Sequence, residues 1–130
     1  MTQTILVVDD SPTVVKFVSI SLRNRGFNVV AASDGMEAIE KLSGLDSTVD
    51  LIITDLNMPN LDGYGLIETL RQNEQHRQTP IIILSSEEGD DDRERGIMVG
   101  ADSYLVKPFK SSVLVSEVDK YLESNKIDKK

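Results

Sequence analysis

The sequence predicts an α/β domain, a single doubly wound (βα)5 unit on a five-stranded parallel sheet. Three observations carry that reading. Short, almost unbroken apolar runs recur along the chain, as strands covered on both faces require. Between them lie longer stretches with helical spacing and readable caps. The two kinds of run alternate five times, which implies right-handed crossovers and helices on both faces of one sheet.

The elements follow in chain order. Residues 4–8 form the first strand. Ser11-Pro12 supplies a cap followed by proline at the first helical position. Val14, Val18 and Leu22 then recur at spacing four, with Val15 beside them, and Arg25-Gly26 closes the helix. Residues 28–32 are a weaker strand, polar at its start, as an edge position allows. Asp34-Gly35-Met36-Glu37 has capping-box spacing and opens a second helix through Leu42. Residues 50–54 are the third strand, and Asp62 caps a third helix with Leu66, Ile67 and Leu70 inward. Residues 80–84 are the fourth strand. Asp90, Asp91 and Asp92 fall in the first turn of a fourth helix that ends at Gly100. After a fifth strand at 102–106, Ser111 or Ser112 opens a fifth helix with Leu114, Val118, Tyr121 and Leu122 inward. Residues 1–124 read as the folded domain and 125–130 as a polar tail expected to fray.

Composition bounds the function. A chain of 130 residues fits one core. There is no cysteine, so thiol chemistry and zinc–thiolate sites are excluded. A formal charge of −8 argues against direct nucleic-acid binding, which needs a positive footprint. No signal-peptide pattern opens the chain, and no apolar run approaches the roughly 20 residues that span a bilayer. A cytoplasmic protein is expected.

Four of the strand-like runs end in, or lead straight into, polar residues. Ile5 to Val8 meets Asp9-Asp10, Leu51 to Thr54 meets Asp55, Ile81 to Leu84 meets Ser85, and Tyr104 to Val106 meets Lys107-Pro108. In a parallel sheet these ends share one edge, where open α/β sheets bind ligands. Three carboxylates about 5 Å apart repel by about 3 kcal/mol per pair at an effective dielectric of 20. A divalent cation relieves this, and hard oxygen ligands on a partly open site favour Mg²⁺. Asp55 can attack phosphorus as an ionised carboxylate, and Lys107 and Ser85 can neutralise or donate to phosphoryl oxygens. A Lys107-Pro108 bond beside such a site invites a cis peptide. His76 lies in the polar stretch Asn73 to Gln78 and reads as a solvent-exposed loop residue. The acidic run Glu87 to Asp92 lacks calcium-loop spacing and reads as dipole-stabilised helix start.

Val7-Val8-Asp9-Asp10-Ser11, Asp55-x-x-Met58-Pro59-x-x-Asp62-Gly63, Ser85-Ser86-Glu87 and Lys107-Pro108-Phe109 together resemble the receiver domain of two-component response regulators, of the stand-alone CheY-like type. The resemblance covers essentially the whole chain. It implies a flavodoxin-like sheet in order 2-1-3-4-5 and a phosphoryl group accepted on Asp55 from a sensor histidine kinase or a histidine phosphotransfer protein. It implies Mg²⁺ held by Asp10, Asp55 and the backbone carbonyl of Asn57, with Asp9 positioning metal-bound waters. Lys107 and Ser85 would bind the phosphoryl group. Ser85 and Tyr104 would act as the switch, and the face of helix 4, strand 5 and helix 5 would meet a downstream protein. Asn57 and Glu87 occupy positions that tune self-dephosphorylation, and their pairing implies a short-lived phosphoryl state. Ile97, Met98 and Val106 are candidates for the output face or for core.

Other readings compete. A phosphate sink or relay intermediate would share every site residue. An aspartate-nucleophile phosphohydrolase would need an acid two residues after the nucleophile, where this chain has Asn57, and a cap over its substrate. A flavin module would need a Gly/Ser/Thr-rich phosphate loop after the first strand, where this chain has Asp9-Asp10.

Overall fold

The computed structural model describes residues 3–44, 49–86 and 89–127, without the side chains of 123–127. Five strands, β1 (Thr4–Val8), β2 (Asn28–Ala32), β3 (Leu51–Thr54), β4 (Ile81–Ser85) and β5 (Ser103–Val106), alternate with five helices. These are α1 (Pro12–Arg23), α2 (Gly35–Gly44), α3 (Gly63–Arg71), α4 (Asp90–Val99) and α5 (Ser111–Ile127). The strands form one parallel sheet in order β2-β1-β3-β4-β5.

The period of the strands divides the core in two. Ile5 and Val7 of β1, Leu51 and Ile53 of β3, and Ile82 and Leu84 of β4 point to one face. There they pack with Val18 and Leu22 of α1 and Leu114, Val118 and Leu122 of α5. Leu6, Val8, Ile52, Ile81 and Ile83 point to the other, against Ala38 of α2 and Leu66, Ile67 and Leu70 of α3. Both faces being covered is why β1, β3 and β4 are apolar at nearly every position. β2 is an edge strand, exposed at Asn28.

The predicted caps form. The Ser11 hydroxyl accepts from Val14 N, and Pro12 opens α1. Asp62 accepts from Gly65 N at 2.8 Å. Asp34 accepts from Glu37 N at 2.8 Å, while Glu37 reaches back to Ser33 N, one residue before the expected partner. Gly26 and Gly100 end their turns at φ of 90° and 124°, a region costly for other residues.

One expectation is overturned. His76 is buried, only 4% exposed, not a solvated loop residue. The cause is Arg71, whose guanidinium accepts no bonds of its own but donates to the carbonyls of His76, Thr79 and Gly100 at 2.9, 2.7 and 2.9 Å. That staple curls the 72–79 segment inward and sets the imidazole beside a cavity of about 60 Å³ shared with Ile39, Leu42 and Leu70. Burial holds its pKa below the ordinary histidine value. The α5 helix also continues through Ile127, so residues 125–127 are helical. Glu87 and residues 128–130 lie outside the described residues.

Candidate functional site

The sheet order puts the predicted polar residues on one edge. β1 and β3 are neighbours in register, Val8 beside Thr54, so Asp9 and Asp55 leave the sheet side by side. Asp55 N donates to Val8 O at 2.9 Å, and Asp9 N donates to Ala32 O at 3.1 Å, which fixes where each carboxylate starts. Asp9, Asp10 and Asp55 each offer a carboxylate oxygen within 4.8 Å of the others. Asp9 and Asp55 are buried, whereas Asp10 is exposed. The cluster therefore has a closed floor and an open side, a set of hard oxygen donors suited to a divalent cation that keeps part of its hydration.

Lys107 reaches this cluster from β5. Its N–H donates to Ser85 O at 2.8 Å, continuing the β4–β5 ladder, and the Lys107–Pro108 bond is cis. The ammonium lies 2.8 Å from Asp9 Oδ2 and 3.4 Å from Asp55 Oδ2. It thus bridges two carboxylates that would otherwise face each other unscreened. Asp55 Oδ1 accepts from its neighbour Leu56 N at 2.8 Å, and Asp9 Oδ1 accepts from Ser11 N at 2.9 Å.

The electrostatics follow from this packing. Burial, and after it the charge of Asp9, pushes the Asp55 carboxyl above its ordinary pKa, with Lys107 and the Leu56 N–H pulling the other way. For Lys107 burial acts downward. The hydrogen bond to Asp9 and the charges of Asp55 and Asp9 outweigh it, and the ammonium is held above its ordinary value. A buried, uncomfortable carboxylate paired with an ammonium whose charge is reinforced by its neighbours is primed to take a cation or an electrophile.

Ser85 is fully buried at the end of β4, between β3 and β5. Tyr104 is also buried, 5% exposed, with the Arg93 guanidinium 5.0 Å from its ring centre. Asn57 sits exposed in the β3–α3 loop. Ile97 and Met98 on α4 are exposed, at 46% and 85%, and Val106 is half-buried.

Three residues shape the site that spacing alone did not single out. Gly63 lets α3 start directly beneath Asp55, Asn60 anchors the loop between them, and Tyr64 ties α3 to α4. The Pro59-Asn60 pair does signal a turn in the sequence. What the Asn60 and Tyr64 side chains touch lies 26 and 28 residues away and leaves no local trace.

The response regulator receiver domain matches residues 5–119 of this chain. Protein PilG of Pseudomonas aeruginosa is 35% identical over 120 residues, which are 92% of this chain and 87% of PilG. Transcriptional regulatory protein PrrA of Mycobacterium tuberculosis is 41% identical over 88% of this chain, which spans only 47% of that regulator. Several of the curated relatives are thus about twice as long as the matched region. Among solved structures, chemotaxis response regulator CheY4 of Vibrio cholerae superposes with a TM-score of 0.86 at 34% identity, covering 93% of this chain and 99% of CheY4. The receiver domain of the P. aeruginosa sensor histidine kinase PA1611, solved with a magnesium ion coordinated in its active site cleft, gives 0.85 at 32% identity over 95% of this chain and 99% of that one.

Proposed function

This chain belongs to the response regulator receiver family, and on that footing we propose that it is a phosphorylation-controlled protein switch with Asp55 as its phosphoacceptor. The observation that carries the reading is the Lys107 ammonium placed between Asp9 and Asp55 at the open edge of the sheet. The donor is the phosphohistidine of a sensor kinase or phosphotransfer protein. An Asp55 carboxylate oxygen forms the new P–O bond as the P–N bond of the phosphohistidine breaks, and the freed imidazole takes up a proton. No general base is needed, because the nucleophile is already ionised at neutral pH.

Asp10, Asp55 and the backbone carbonyl of Asn57 are the groups we assign to Mg²⁺, with Asp9 orienting its waters. The ion supplies neutralisation of charge on the phosphoryl oxygens. Lys107 contributes a second, fixed positive charge, and the Ser85 hydroxyl donates to another phosphoryl oxygen.

Phosphorylation favours whichever arrangement sets Ser85 and Lys107 on the phosphoryl group. Tyr104 lies on the strand beside Ser85, and in this structure its ring is already inward. The output is a change in affinity of the α4–β5–α5 face for a downstream protein, with exposed Ile97 and Met98 as its apolar contacts. Among the described residues no helix is long and apolar enough to cross a membrane. A cytoplasmic site of action fits the histidine-kinase partner.

Intact mass after incubation with acetyl phosphate tests the reading, with and without Mg²⁺, on wild type and Asp55→Asn. One added phosphoryl group that requires both Mg²⁺ and Asp55 is the expected result. A folded wild type that gains no mass would overturn it.

A further inference from the structure

We propose that Asn60 is a positioning residue, which fixes the loop carrying Asn57 against the start of α2 and so sets the cation affinity of the site; the inference rests on the magnesium reading above. Asn60 has φ of 69°, the only positive φ at a non-glycine among the described residues. Leu61 N donates to Pro59 O at 2.7 Å, which closes a three-residue turn with Asn60 at its centre. A turn of this size with positive φ at its centre is the rarer and more strained hand. Such a conformation persists only where the surroundings over-determine it.

The surroundings here are the first residues of α2. Asn60 Nδ2 donates to Asp34 Oδ2 at 2.6 Å. The other oxygen of that carboxylate accepts from Glu37 N, so its orientation is fixed by the helix it caps. One residue on, Leu61 O accepts from Gly35 N at 3.2 Å, and a Cβ at Gly35 would lie 2.6 Å from that oxygen. The backbone of α2 therefore approaches the loop too closely for any side chain but glycine's. At the far end Gly63 N donates to Leu56 O at 2.9 Å. The segment from Leu56 to Leu61 is thus held at both ends, and Asn57 lies inside it.

Asparagine suits this position on two counts. It tolerates positive φ better than other residues with a Cβ, and its amide gives a donor to Asp34. Glycine would keep the first property and lose the second. A loop already ordered does not have to be ordered when the cation binds, so losing the tether weakens binding without touching a ligand.

Two variants isolate the tether. Asn60→Gly keeps the turn and removes the donor. Asp34→Ser keeps a capping oxygen for α2 but is too short to hold Asn60. Three readouts are needed: Mg²⁺ affinity by calorimetry, amide hydrogen exchange of residues 56–61 without metal, and urea midpoints. Each variant is expected to bind Mg²⁺ roughly three- to tenfold more weakly, the scale of one exposed charge-assisted hydrogen bond. The double variant should be no weaker than either single one, because both remove the same bond. Exchange in 56–61 should quicken in both. Wild type that binds Mg²⁺ alongside variants of unchanged affinity overturns the positioning role alone. Wild type that binds no Mg²⁺ overturns both this role and the reading of the site.

Discussion

Gly63 packs its α-carbon against the backbone carbonyl of Asp55, so closely that a Cβ at Gly63 would lie 2.2 Å from that oxygen. The same oxygen accepts from the Thr54 hydroxyl at 2.8 Å. The first residue of α3 thus sets the height of Asp55, and the glycine is needed for space, with no requirement on its φ. We expect Gly63→Ala to cost roughly 1–3 kcal/mol of stability, the usual scale of forced overpacking. It should also lower Asp55 labelling by acetyl phosphate, since the carbonyl must move. Urea unfolding and intact mass check both, and a variant equal to wild type in each would remove Gly63 from the account.

Lys107 is the counter-charge that makes the carboxylate cluster tolerable. Removing it in Lys107→Met leaves Asp9 and Asp55 buried and facing each other. Losing one partner of a buried pair costs about 3–5 kcal/mol, and the partial exposure of Lys107 reduces that to roughly 2 kcal/mol. Millimolar Mg²⁺ should restore more stability to this variant than to wild type, because the cation replaces the missing charge. The sign of the alkaline dependence follows from the raised pKa of Lys107. Its contribution is complete below 10.5 and is lost as pH rises through the raised value. Wild type should lose that stability in strongly alkaline solution, and Lys107→Met should lack the corresponding step.

For Asp55 the sign is opposite to that of an ordinary salt-bridged carboxylate. Its folded pKa is raised, so its favourable contribution to folding is present below 3.8 and is lost as pH rises through the raised value. At neutral pH the ionised side chain therefore disfavours the folded state. Asp55→Asn is expected to match or exceed wild-type stability at pH 7, with the gap closing in acid. A carboxyl-carbon NMR titration should place Asp55 above the ordinary aspartate value without metal and lower it with saturating Mg²⁺. A marked loss of stability in Asp55→Asn at pH 7 would contradict this.

Most of the fold and the core of the site were legible because they depend on local pattern. β1, β3 and β4 are uniformly apolar because both faces are covered, and each delivers its polar residue at the same edge. Asp62, Ser11 and Asp34 announce their helices through short-range bonds. His76 was misread because its burial depends on Arg71, whose donors gather carbonyls from as far as Gly100. The parts of Asn60 and Tyr64 were invisible for the same reason. Their partners, Asp34 and Asp92, lie 26 and 28 residues away in sequence.

Two arginines help to hold α4, a helix with little buried surface of its own, on the fold. Gly96 is the buried residue of α4, seated over Ile83 and Tyr104. Arg95 lies 3.9 Å above the Tyr64 ring of α3, and Arg93 lies over the Tyr104 ring of β5. The Tyr64 hydroxyl donates to Asp92 Oδ1 at 3.2 Å, which closes the contact from the other side. Burial, followed by the charge and hydrogen bond of Asp92, pushes the Tyr64 phenol up to about 12. Ultraviolet titration should therefore show a tyrosine still protonated well above pH 10, and Asp92→Asn should bring it down. Arg95→Ala should cost about 1 kcal/mol of cation–π stabilisation. Its larger effect should be local, with α4 amides exchanging faster while β1 and β3 are unchanged. Uniform acceleration across the domain would mean that α4 unfolds only with the whole, and that these two arginines do not act as a separate hold on it.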